Sequence, residues 1–486
     1  MSNCFPIFRR LLLGLLLPAV FMVTSTELKA EYDLKKMGQW SDEEIPPYND
    51  EFFSNVRYND LWGYVDDDGN EFAIIGSVEG THFIDVTDPE NPEQVDKVEG
   101  RFSPATHRDF HTHEGYAYAT ADQGESSLQI MDLQHLPDSV EKVYDNDSLM
   151  VRAHNNFIEN DRLYLAIQST HEDVNPMAVL SLEDPARPSM IHELNEEFEF
   201  PYNVHDVHVQ NDTAYCSAEF GGLFIYDMED PKNPHYISSI TNYPDQGYNH
   251  SGWLNDEGNR YVFSDEVPEG LRLKYYDISD IENPELLDVF GLNHELGSTP
   301  HNPFIKDSLI YVSYYHNGVV VFDKSNPENI EKLAQYDTYP QNINDSGEPE
   351  FEGLNGAWGV YPFLPSGTII ASDMTNGLFT LSLEEKEDQN PGTAIAENRQ
   401  NGKEEFEVYP NPFNEKIKIE PKGQVSESIS VKIKDLNGRV LEKKPQLSAQ
   451  NDEAFKLNPE NDLAKGVYLL KIREGEKTYT KKIVKQ

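Results

Sequence analysis

Between His205 and Pro234 apolar and polar residues take turns in short runs. Val207 and Val209 alternate with polar neighbours, Asn211-Asp212 reverses the chain, Ala214 to Ala218 forms a second run, and Leu223 to Asp227 follows a Phe220-Gly221-Gly222 turn. A period of two predicts three short strands joined by tight turns. Asp230-Pro231 and Asn233-Pro234 end the unit, because proline has no N–H for a ladder and fixes φ. The pattern recurs. The apolar-Asp or apolar-Ser pair closing the third strand falls at Asp85, Asp132, Ser181, Asp227, Asp277, Asp323 and Ser382, at intervals of 47, 49, 46, 50, 46 and 59.

A period in the forties, with short strands and Gly turns, is that of propeller blades. Seven copies predict an all-β chain: a seven-bladed β-propeller over 31–383. Fourth strands are expected after the Pro-rich stops, at Gln94–Val98, Val140–Tyr144, His235–Ile240, Leu286–Phe290 and Ile330–Tyr336. The last copy lacks one, since EEKEDQNPG follows it directly. A ring must remove its free edges, so Phe52–Tyr58 is expected to supply the missing outer strand, with Glu31–Asp50 an irregular lead-in.

The two ends read differently. Arg9-Arg10 followed by an apolar run, Leu11 to Val23, has the layout of a secretory signal, assigned to 1–30. Charged residues around Asn390-Pro391-Gly392 mark 384–403 as a linker, and alternation in IKIE, ISVKIK and YLLKI predicts a small β-sandwich over 404–486. Charge separates them as well. The chain has 39 Lys+Arg against 86 Asp+Glu, and residues 401–486 hold 17 and 14 of these. The first 400 residues therefore carry a formal −50 and the rest +3. So acidic a surface repels nucleic acid and anionic lipid and favours divalent cations, although acidity also serves solubility alone. After removal of 1–30 only Cys216 remains, so no internal disulfide can brace the fold.

The apolar-apolar-Asp strand followed by DPxNP resembles the LVIVD repeat, and seven copies behind a signal peptide resemble the choice-of-anchor B family over roughly 60–383. That resemblance implies a fold and no reaction. YPNPF, DLNGRVL and KGVYLLKI resemble the type A sorting domain of the type IX secretion system. This implies a partner in that machinery, an outer-membrane passage to the surface or the medium, and a source among the Bacteroidota.

Candidate chemistry repeats once per blade. Near the start of each first strand stand His107, His154, His205, His250 and His301, with Trp62 and Trp358 in the two remaining blades. Near the end of the second strand stand Asp122, Glu219, Asp265 and Asp373. The first two strands of a blade form an antiparallel hairpin. These residues should therefore meet at one mouth of the central channel, with the two tryptophans side by side. Imidazole suits zinc and carboxylate suits calcium, so the ring offers a metal site, most directly through His154, His205 and His250. The competing reading gives each histidine a structural job, donating to a carboxylate or backbone carbonyl of the next blade. A non-catalytic binding module is the expected function; the alternative is a metal-dependent lyase or hydrolase at the same mouth. Asp66-Asp67-Asp68-Gly69-Asn70 lacks the distal glutamate of a calcium loop and is read as a hairpin turn.

Overall fold

The computed structural model describes residues 32–386, apart from 51–52, 195–202, 293–297 and 342–353, and most of the strands after 405. The proposed signal, Phe52 and nearly all of the linker lie outside the described residues. The chain divides into two compact units, 1–387 and 388–486.

Among the described residues the first unit holds seven four-stranded antiparallel sheets. Their first strands are Tyr58–Val65, Arg108–His113, Asn155–Glu159, Asp206–Gln210, Asn249–Leu254, Pro303–Lys306 and Ala357–Tyr361. Each packs against the next, and the last packs against the first, so the succession closes on itself. Second and third strands read as alternating runs in the sequence are buried on both faces, as in Phe72, Ala73, Ile74 and Ile75, all 0% exposed. Neighbouring sheets share apolar clusters: Tyr164, Val179, Val207 and Cys216 pack in one. That burial is the main stabilising term, at roughly 25 cal/mol per Å² of apolar surface.

The recurring aspartate has a local cause. Asp85, Asp132, Asp227, Asp277 and Asp323 each accept, through Oδ1, the backbone N–H two residues on, at 2.8–2.9 Å. This Asx turn drives the chain out of the third strand into the Pro-rich reversal. The fourth strands start close to their expected places, at Glu93, Glu141, His235, Glu285 and Glu331, and another spans Ser189–Leu194. In sheets one to six the fourth strand meets the third through a register shift two residues before the aspartate or serine, as between Phe83 and Ile84 or Ile225 and Tyr226. Such bulges sharpen the twist of an outer strand.

One expectation is overturned. The outer strand of the last sheet is Tyr32–Trp40, paired antiparallel with Gly377–Glu385 from Tyr32↔Glu385 to Trp40↔Leu378. Tyr58 instead opens the first strand of the first sheet, and Val56 makes an isolated bridge with Tyr48. A bulge between Lys36 and Gly38 breaks the alternation that would have announced the outer strand. The acidic loop at 66–70 is a turn: Asp66 Oδ1 accepts from the N–H groups of Asp68 and Asn70, and Gly69 takes φ +85°.

Among the described residues the C-terminal unit has a three-stranded sheet and a four-stranded sheet. Both contribute to one apolar cluster, including Phe406, Ile417, Val431, Phe455, Leu470 and Ile483.

Candidate functional site

The seven first strands bring their inward side chains together in three tiers. In the first, His107, His154, His205, His250, His301 and Trp358 form an unbroken ring of rings. Centroid separations run 4.0, 4.1, 4.5 and 4.3 Å from His107 to His301. Trp358 closes it at 4.9 Å from His301 and 5.5 Å from His107. The second tier is polar and was missed from sequence: Asp60, Asp109, Asn155, Asp206, Ser251 and Asn302. The third is aromatic, with Trp62, His111, Phe157, His208, Trp253 and Phe304 in successive contact at 4.2–4.9 Å. Tyr361 and Phe363 complete it, and Trp62 reaches Trp253 across it at 6.4 Å. That tier plugs one end of the cavity. Volumes of about 20 Å³ beside the histidines and about 40 Å³ above the aromatic plug remain. A water needs roughly 10–15 Å³ by the same measure, so ions and waters fit and a sugar ring does not.

The imidazoles divide by their partners. His205 and His301 donate through Nδ1 to the carbonyls of His250 (3.2 Å) and Trp358 (2.6 Å), which turns Nε2 into the acceptor. His154 Nδ1 lies 2.9 Å from Asp122 Oδ2, and His107 Nδ1 lies 3.9 Å from the same oxygen. Nδ1 of His107 and of His250 is buried without a hydrogen-bond partner. Burial drives His107 and His301 down to about 3 and His205 and His250 well below the usual imidazole value, so these four are neutral free bases at neutral pH. In this tier, among the described residues, potential ligand atoms cluster twice: in His107, Asp122 and His154, and in His250, Glu266 and His301. His205 sits between the two groups and belongs to neither.

Burial likewise pushes the carboxyl of Asp60 up to about 7 and that of Asp206 up to about 6. Asp109 is raised further, by burial and then by the two neighbouring carboxylates.

Other sequence candidates go elsewhere. Trp62 is in the aromatic tier, not beside Trp358. A register shift lies between Tyr58 and Leu61, and the residue after Tyr58, which pairs with Ser77, is Asn59. His250 likewise follows Asn249, which pairs with Asp265, so counting from the second strand overshot by three residues. Asp265 is buried against Lys274 and accepts from Tyr243 Oη at 2.9 Å. Asp373 is bonded to Thr338 Oγ1 and to the N–H groups of Thr375 and Asn376 at 2.8–2.9 Å. Glu219 accepts from Asn203. None of these three carboxylates lines the cavity; at the end of a second strand the side chain serves the neighbouring loop. Asp122 alone of the four predicted carboxylates reaches the imidazoles. The second carboxylate there is Glu266, 3.9 Å from His250 Nε2 and accepting from Tyr315 Oη. The polar tier had a signal: HRD, HNN, HDV, HSG and HNP place a donor or acceptor one or two residues after every histidine.

No curated protein matches this chain. Solved structures to which the chain is similar include the computationally designed Ika8 protein, at 8% identity and a TM-score of 0.41, covering 88% of this chain and 97% of that one. Another is Sqt1 of Saccharomyces cerevisiae, at 9% and 0.44, covering 67% and 83%. PorZ of Porphyromonas gingivalis, described as a surface component of the type IX secretion system, matches at 12% and 0.33, covering 89% and 70%. At these scores the likenesses carry no inference about function. Among the described residues no helix is long and apolar enough to cross a membrane. Residues 407–486 match the family described as the secretion system C-terminal sorting domain, which marks the chain for the type IX system and delivery to the cell surface or extracellular space.

Proposed function

We propose that the chain is an exported seven-bladed β-propeller of the LVIVD, choice-of-anchor B kind, acting as a non-catalytic binding module. Its ligand is a transition-metal ion of the zinc class held in the imidazole tier. The observation that carries this is the closed ring of five histidines and Trp358, with four imidazoles that burial holds neutral and the Nδ1 of His107 and His250 satisfied by no protein group. His82, by contrast, has both ring nitrogens spent, on Gln94 and Ser77. The small cavity volume favours ion binding over a lyase or hydrolase, whose organic substrate would need room beside the metal. His107, Asp122 and His154 on one side and His250, Glu266 and His301 on the other are the sets that would hold the ion.

The test is elemental analysis and zinc titration of the purified mature chain. Wild type should retain stoichiometric metal and gain thermal stability with added zinc. His154→Ala with His250→Ala, which breaks both sets, should lose the metal and the zinc response and keep its circular dichroism. Metal-free wild type with no zinc response would leave the histidines as structural groups.

A further inference from the structure

We propose that the polar tier is a separate binding site for a hard divalent cation of the calcium class. Three aspartates, Asp60, Asp109 and Asp206, come from three different sheets into one cavity whose lining contains no Lys or Arg. Their partners are neutral. Asp60 Oδ1 accepts from the N–H of Leu61 at 2.8 Å, and Asp109 accepts from Asn155 Nδ2 at 2.9 Å and Asn156 Nδ2 at 3.1 Å. Buried carboxylates without a counter-charge are costly, and a cation among them removes that cost.

Unspent oxygens point the same way. Oδ1 of Asn155, Asn156 and Asn302 is buried and accepts no hydrogen bond, although all three residues line the cavity or its continuation and Asn156 is only 2% exposed. Because Asn155 and Asn156 donate through Nδ2 to Asp109, their amide oxygens are the atoms left over. The carboxylates, amide oxygens and Ser251 of this tier are oxygen donors, the preference of calcium rather than zinc. His111 and His208 of the adjoining tier border the same cavity. The three carboxylates do not all lie within 4.8 Å of one another, so a bound ion would draw them together. A set drawn from six strands of a seven-membered succession suits the irregular coordination calcium tolerates better than the octahedron magnesium demands. The seventh strand contributes Gly359, where a Cβ would lie 2.3 Å from Asp60 Oδ1; only a residue without one leaves room for the carboxylate. About 40 Å³ accommodates an ion with its remaining waters.

This site does not depend on the imidazole-tier reading, and the test separates them. The mature chain is stripped with chelator and titrated with calcium, magnesium or zinc while its melting temperature is followed. It is also titrated with terbium, whose emission Trp62 and Trp253 of the adjoining tier would sensitise. Calcium should raise the melting temperature by several degrees, and sensitised terbium emission should saturate at one equivalent and be displaced by calcium. Asp60→Asn with Asp206→Asn should weaken calcium at least tenfold and leave zinc binding intact; His154→Ala with His250→Ala should do the reverse. Asp60→Asn alone, which keeps an acceptor for Leu61, serves if the double variant does not fold. No calcium response and no saturable terbium in wild type would overturn the proposal. So would responses that survive the aspartate substitutions, since exposed carboxylates would then account for them.

Discussion

Among the buried histidines, His82 is one with both ring nitrogens spent on fixed partners. It is 0% exposed, with Nδ1 at 2.8 Å from Gln94 Oε1 and Nε2 at 2.9 Å from Ser77 Oγ, an arrangement that only neutral imidazole satisfies without burying charge. Burial lowers it to about 4, against 6.5 in the unfolded chain. The unfolded state therefore takes up its proton first. The stabilisation is complete above pH 6.5 and is lost as pH falls from 6.5 towards 4, by about 3 kcal/mol at most. His82→Gln should remove this share of the acid sensitivity. In urea unfolding, wild type should lose roughly 2–3 kcal/mol more than the variant between pH 7 and pH 4.5. Parallel losses would mean that His82 is not held neutral. The same comparison shows what the sequence could reveal at this scale. Its spacing brought five histidines to one ring, because one residue per repeat on the innermost strand must converge. It could not show that Asp265 faces Lys274 or that Trp62 stands a tier away. Those outcomes depend on neighbours from other strands and on register shifts that alternation does not display.

At the scale of elements, legibility followed alternation and turn chemistry. The second and third strands and the Pro-rich stops were visible because each is specified within a few residues. The closing strand was not, since Tyr32–Trp40 and its partner Gly377–Glu385 are some 340 residues apart and the bulge at Lys36/Gly38 interrupts its pattern. Its fit is nonetheless close. Gly38 N–H donates to Thr380 Oγ1 at 2.8 Å, Thr380 in turn donates to the carbonyl of Pro89 at 2.6 Å, and a Cβ on Gly38 would lie 2.4 Å from that carbonyl oxygen. The strand thus joins the last sheet to the first sheet's Pro-rich turn. Deleting 32–40 would bare the edge of Gly377–Glu385 and the apolar surface around Leu381 and Phe379, which an exposed edge offers to other chains. Calorimetry should show a melting temperature lower by more than about 10 °C, accompanied by aggregation, a shift several times the 2–4 °C expected per kcal/mol in a domain this large. Gly38→Val, which keeps the strand but crowds Pro89, should cost about 1–3 kcal/mol. An unaltered melting curve for the deletion would show that the last sheet is stable with three strands.

For the whole molecule, the two units differ in charge, in their single or repeated cores and in purpose. The first is strongly acidic, has one free buried cysteine and no disulfide among its described residues, and relies on sheet-to-sheet apolar clusters. The second has its own apolar cluster and matches a sorting domain over nearly its full length. Separate cores imply separate folding, so the sorting unit can be removed without undoing the first. A chain ending at residue 403, still carrying the proposed N-terminal signal, should cross the inner membrane, fold, and accumulate in the periplasm. Fractionation should find it there, with the melting temperature and metal content of the full chain, while the full chain reaches the surface or the medium. Delivery of the truncated chain at the normal level would mean that the export information lies in the first unit. A truncated chain that is found nowhere would call for a melting measurement on recombinant material, since separate folding requires that unit to be stable by itself.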